Sequence, residues 1–204
     1  MSTSDTNLDA AATLDRYHRA TDGFDAVAAA VTDWAAPSLC EGWSLADVAG
    51  HVTWGQRLAR ALATGDGWRG EEGAPGAAHP ASMMGSNPLT AWRAERERTR
   101  DVLSAETLGR VVEIGGPFGT APLGLFIQAM ATVDIPAHTF DIGFAVGIPV
   151  SLDPELVREG TALFEAMNVP RDTPGGFKSA LPPPPGADEQ VQFVALLGRR
   201  CWSD

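Results

Sequence analysis

A chain of 204 residues is long enough for one well-buried core and short for two full domains. With 26 Asp and Glu against 15 Lys and Arg, the formal net charge is -11, which argues against a nucleic-acid or anionic-membrane partner, because both demand clustered cations. The expected partner is a small molecule, bound by a monomer or a homodimer. Cys40 and Cys201 lie in unlike contexts, so no disulfide framework is expected and a reducing cytoplasm suits the chain. The polar start, residues 1–7, lacks the basic and apolar regions of a secretory signal, and the longest uncharged apolar run, residues 120–133, has the length of a buried helix rather than a membrane span.

Residues 8–34 carry Leu14, Tyr17, Phe24, Val27, Ala30 and Val31 at helical spacing, which predicts a first helix that ends before Pro37. Ser44 opens a second helix as N-cap, with Asp47 three positions on, before Val48, Val52, Leu58 and Leu62. His51 falls in its second turn. Trp43 is expected to plug the start of this helix and Cys40 to be a small buried hydrophobe with a protonated thiol. Residues 64–88, rich in Gly, Pro and Ala, show no period and predict a long surface connection that permits a crossover. A charged third helix follows over residues 89–108, with Trp92, Thr99, Val102 and Leu103 as its buried stripe.

Residues 111–114 are β-branched and short, and the Gly-rich turn 115–119 leads into a fourth helix over about residues 122–145. Pro136 lies inside it and predicts a kink between Asp134 and His138. Asp153-Pro154-Glu155 restarts a helix carrying Leu156, Leu163, Phe164 and Met167. After Asn168 the chain turns proline-rich, and residues 188–197 predict a last short helix that docks back. The pattern divides into an all-α body over residues 1–168 and a Pro-rich extension over residues 169–204.

The stretch 131–147 places Asp134 and His138 four residues apart, so both share one helix face and reach one metal ion. His51, from a second helix far away in sequence, is the natural third ligand, as when facing helices of a bundle build a site together. Asp141 is the candidate catalytic carboxylate, orienting a ligand imidazole or acting as a base, and its alternative reading is an ordinary carboxylate on the helix face. His18 and His79 are read as bystanders.

Two motifs resemble a known family. Cys40-Glu-Gly-Trp-Ser-Leu-Ala-Asp-Val-Ala-Gly-His51 and Asp134-x-x-x-His138-x-Phe140-Asp141-Ile142 are similar to the paired signatures of the mycothiol-dependent maleylpyruvate isomerase-like proteins, within the DinB/YfiT-like superfamily of metal-binding helical bundles. Pro117-Phe118-Gly119 and the closing Leu196-Leu197-Gly198-Arg199 agree as well. The resemblance implies a four-helix bundle with a long crossover, metal ligands His51, Asp134 and His138, and mycothiol as the thiol cofactor. Three positions depart from the family pattern: Pro136 in the ligand helix, Phe140 for the usual Trp, and Phe144 where an Arg is common.

Two imidazoles and one carboxylate leave a coordination position open, the pattern of a catalytic site. Zinc is the first choice, and the same donors suit nickel or iron(II). The resulting expectation is an isomerase or thiol transferase in which a metal activates mycothiol toward an electrophilic small molecule. Its rivals are a hydrolase that activates water with Asp141 as base, and a non-catalytic binding relative whose site Pro136 has opened. Arg57 and Arg60, with Arg69 beyond them, follow His51 along the second helix and are the candidate cofactor-binding cations. Phe144 suggests a less acidic, more aromatic substrate than maleylpyruvate.

Overall fold

The second helix shows how local signals set the frame. In the computed structural model, which describes residues 9–167, 169–173 and 176–202, α2 (Leu45–Thr64) begins with Ser44 as N-cap in a full capping box with Asp47. Its first free N–H groups are also taken by the preceding loop, Leu45 donating to the Ala36 carbonyl and Ala46 to that of Trp34. Because residues 34–36 serve this purpose, α1 stops early, at Ala10–Ala28, with Asp9 as N-cap.

α3 (Pro88–Arg100) is also shorter than its charge pattern suggests, because Ser104 and Thr107 form a second capping box and open a separate helix, α4 (Ala105–Gly109). β1 (Val111–Gly115) and β2 (Gly119–Pro122) pair antiparallel around the Pro117-Phe118 turn. The fourth bundle helix is then continuous in course but not in pitch: α5 (Leu123–Ala129), a π-helical turn (Met130–Asp134) and α6 (Ile135–Ala145). α7 (Pro154–Met167) and α8 (Glu189–Leu196) complete the helices.

α2 packs on α3, α3 on α1, α1 on α6, and α6 on α2, so the four form a closed ring around the main core of Tyr17, Phe24, Val48, Val52, Trp92, Ile127 and Ile142. The fold is all-α, with one two-stranded ribbon. A smaller core of Val133, Phe140, Val157, Phe164, Phe193, Val194 and Leu197 joins α7 and α8 to the π turn and to α6.

Pro136 widens the helix ahead of itself, in the turn that ends at Asp134. It has no N–H to offer the Thr132 carbonyl four residues earlier, and the turn widens there, with Ile135 donating to the Met130 carbonyl five residues back. Asp134 is the last residue of that turn, and the regular helix from Ile135 carries His138 one turn on, so the two side chains still meet, with Nε2 and Oδ1 3.6 Å apart.

The 65–87 connection is not a free surface loop. Ala81 donates to the Asp47 carboxylate at 3.0 Å, Trp54 Nε1 donates to the Gly70 carbonyl at 2.7 Å, and Trp43 Nε1 donates to the Ala77 carbonyl at 3.1 Å. The polar groups of α2 and its cap thus hold the connection against the helix that carries His51.

Candidate metal centre

The His51, Asp134 and His138 side chains come together where α2 faces α6. One oxygen of Asp134 lies 3.5 Å from His51 Nε2 and 3.6 Å from His138 Nε2, and the two rings stand nearly perpendicular at 5.2 Å. Both histidines are buried, whereas the Asp134 side chain keeps 28% of its surface exposed, so the site opens toward solvent on the carboxylate side.

The remaining ring nitrogens determine what these three groups offer. His51 Nδ1 is 2.7 Å from the Gly73 carbonyl, which can only accept, so Nδ1 carries the hydrogen. His138 Nδ1 is 2.9 Å from Asp141 Oδ2, and the same reasoning holds for a carboxylate. In the neutral tautomers both Nε2 lone pairs therefore face the Asp134 oxygen, at distances too long for hydrogen bonds. Three electron-rich atoms pointed at one another require a positive charge between them.

A divalent ion fits this donor set. The three donor atoms lie within 4.8 Å of one another, and the observed 3.5 and 3.6 Å edges match the roughly 3.4 Å edge of a tetrahedron with bonds of about 2.1 Å. The charges agree. Burial works against the imidazolium of His51, but the Asp134 carboxylate and the Gly73 carbonyl outweigh it and raise the pKa. Burial likewise opposes the Asp134 carboxylate, and the two histidines overcome it, bringing that carboxyl down to about 2. The pocket is built to hold a cation against one fixed negative charge.

Asp141 is fully buried behind His138. Arg199 grips it with both arms, Nε to Oδ1 at 3.1 Å and Nη2 to Oδ2 at 2.9 Å, and its third donor reaches the Leu197 carbonyl at 2.8 Å. Burial alone would raise the Asp141 pKa; Arg199 and His138 push it far below the usual carboxylate range instead. Cys40 Sγ also donates to Oδ2, at 3.3 Å, and burial with the neighbouring carboxylate pushes that thiol well above its ordinary pKa. Cys40, His138 and Asp141 form a second cluster of potential donors, but Arg199 already supplies its cation.

The arginines expected along α2 are engaged elsewhere. Arg57 lies over the Trp68 ring at 4.3 Å, Arg60 pairs with Glu95 of α3 at 2.6 Å, and Arg69 donates to the Glu113 carbonyl at 2.6 Å. The cation beside the site is Arg199. Phe144 stacks on Phe140, whose ring belongs to the core shared with α7 and α8, so it does not border the histidine face. His18 stands beside Tyr17 on α1, and His79 precedes the 3-10 turn Pro80–Met83, both outside the cluster.

Two groups that sequence reasoning left unassigned complete the site. The Gly73 carbonyl is a backbone atom and carries no residue signature. Arg199 was legible only as the end of a closing Leu-Leu-Gly-Arg; Gly198, at φ +81° and with Lys178 Cβ and its carbonyl crowding the place a Cβ would take, makes the turn that aims it inward.

The sequence model described as the mycothiol maleylpyruvate isomerase N-terminal domain matches residues 17–143, a span that includes all three converging side chains. An uncharacterized protein of Mycobacterium tuberculosis is 29% identical over 127 residues, covering 56% of this chain and 48% of the relative, so the chain spans about half the length of that protein. A second uncharacterized protein of the same organism is 28% identical over 188 residues, covering 90% of this chain and 95% of the relative. No solved structure matches the chain.

Proposed function

From the premise that the chain belongs to the mycothiol maleylpyruvate isomerase N-terminal domain family, we propose that it is a divalent-metal-dependent thiol enzyme, an isomerase or transferase that joins mycothiol to an electrophilic small molecule. The observation that carries this reading is the pair of Nε2 atoms aimed at one carboxylate oxygen, with each Nδ1 already committed to an acceptor. A zinc ion held by His51, Asp134 and His138 would supply the Lewis acidity that keeps a thiol ionised near neutral pH; nickel and iron(II) suit the same donors.

The chain's own residues do the rest. Asp134 places one negative charge at the mouth of the site, where it offsets part of the charge of a divalent ion and leaves the complex able to attract an anionic sulfur. Asp141 holds the His138 ring in the tautomer that presents Nε2, and Arg199 holds Asp141 ionised while keeping its oxygens occupied. Cys40 stays protonated against Asp141, so the nucleophile in this reading is a low-molecular-weight thiol and not Cys40. Trp43 and Trp54 flank the His51 ring, at 5.3 and 5.9 Å, and limit water on that side.

The hydrolytic reading draws less support, because a general base needs a free lone pair toward the attacking water. Asp141 spends its oxygens on Arg199, His138 and Cys40. The non-catalytic reading rested on Pro136, but the widened turn that accommodates it leaves Asp134 Oδ1 and His138 Nε2 3.6 Å apart.

Calorimetry with mycothiol tests the proposal. Zinc-loaded protein is expected to bind the thiol, and chelator-treated protein or H138A is expected not to. Equal binding to loaded and metal-free protein, or none to either, would remove the thiol mechanism.

A further inference from the structure

The 70–77 segment has no regular structure beyond two turns, yet its middle residue makes the shortest polar contact in the site, 2.7 Å from the Gly73 carbonyl to His51 Nδ1. Three residues before Gly73, the Gly70 carbonyl accepts from Trp54 Nε1 at 2.7 Å; four residues after it, the Ala77 carbonyl accepts from Trp43 Nε1 at 3.1 Å. The same indoles flank the imidazole. Trp54 is stacked with His51 at an interplanar angle of 11° and Trp43 is tilted against it at 47°. Gly73 itself is buried, and a Cβ there would lie 2.4 Å from Trp54 Cβ and 2.7 Å from Met83 Sδ, so only glycine brings its carbonyl this close.

We propose that residues 70–77 form a strap that positions His51: the Trp43 and Trp54 indoles pin its two ends, and the Gly73 carbonyl between them fixes the imidazole as the Nδ1–H tautomer with Nε2 directed at Asp134. Gly73, Trp43 and Trp54 are thus positioning residues, acting on an ion through His51. A carbonyl is suited to the task because it can accept but never donate, so it enforces one tautomer without adding a second charge. Two indole pins are needed because the segment has no helix or strand of its own to hold the carbonyl in place.

The inference rests on the metal reading for its consequence but not for its geometry, and the test separates the two. Cobalt(II) is titrated into metal-free wild-type protein, G73A, W54F, H51A and the exposed strap variant E72Q, following the visible absorption of the bound ion. In parallel, nitrogen-15 spectra of the metal-free proteins at pH 8 report which His51 nitrogen carries the hydrogen. The strap predicts affinity weaker by about 10–100-fold in G73A and about tenfold in W54F, with helical content unchanged and E72Q like the wild type. It also predicts a pure Nδ1–H signature for His51 in the wild type and E72Q, and a tautomer mixture in G73A and W54F. W54F keeps a large apolar ring in place, so it reads out the pin even where G73A disturbs folding. Wild-type cobalt affinity together with an unmixed Nδ1–H signature in both strap variants would overturn the inference. Wild-type cobalt affinity in H51A would instead defeat the metal reading, and the nitrogen-15 signatures alone would then decide the strap.

Discussion

His51 and His138 present the same atom to the same carboxylate oxygen and are held in opposite ways. His51 stands on a regular, capped helix and is oriented by a neutral backbone carbonyl from a connection. His138 follows a π turn and a proline, and is oriented by a buried carboxylate that is itself held by a buried arginine. The first arm depends on where a loop lies; the second depends on charge. The two arms should therefore fail differently, the first through lost geometry with the fold intact, the second with an added penalty to the fold.

The largest expected effect leaves the arms alike. H51A and H138A should each abolish metal binding while the circular dichroism of the helical bundle is retained, because the core stripes do not include these rings. Metal content together with helicity checks this, and D134A should weaken the site less than either.

Removing the orienting groups should separate the arms. D141A strands the Arg199 guanidinium, only 12% exposed, without its counter-charge, and breaking a buried pair in this way destabilises by about 3–5 kcal/mol. Urea denaturation should show that loss. D141N, which keeps the shape but not the charge, should lower metal affinity by about 10–100-fold. Equal stability of D141A and wild type would mean that the charged arm is no different in kind from the carbonyl arm.

The smallest effect belongs to a charge pair remote from both arms, which serves as the reference. Burial opposes the Asp153 carboxylate, but Arg19 and the Glu155 and Leu156 backbone N–H groups hold its pKa below the usual 3.8. The stabilisation is therefore complete above pH 3.8 and fades as pH falls through the lower folded value. R19A should cost no more than about 1 kcal/mol near neutrality, flatten the acid limb of the stability curve, and leave metal affinity untouched.

The contrast between the arms also explains how much the sequence disclosed. Ser44 and Asp47 marked the start of α2 because a capping box is written in side chains, and the spacing of Asp134 and His138 survived because the π turn that accommodates Pro136 ends at Asp134 and the helix is regular from Ile135 onward. The division of α3 from α4 was open to the same reading, since Ser104-x-x-Thr107 is a capping signal that the charged run before it masked. Arg57 and Arg60 looked like cofactor cations from their place on α2, but a helix turn or more of separation and a nearby Trp68 or Glu95 decide where long side chains go. Asp141 was visible as a carboxylate near a ligand, and its role became specific only with Arg199, which arrives from 58 positions later. The Gly73 carbonyl had no sequence signal, because every residue carries a carbonyl and the glycine that this one requires stands in a run already rich in Gly and Pro.

X-ray absorption at the zinc edge, on zinc-loaded protein before and after mycothiol is added, tests the central claim most directly. The account predicts a first shell of nitrogen and oxygen with the scattering pattern of two imidazoles, and one sulfur neighbour that appears only with the thiol. Sulfur in the first shell before any thiol is added would put the ion at Cys40, His138 and Asp141, and would contradict the site described.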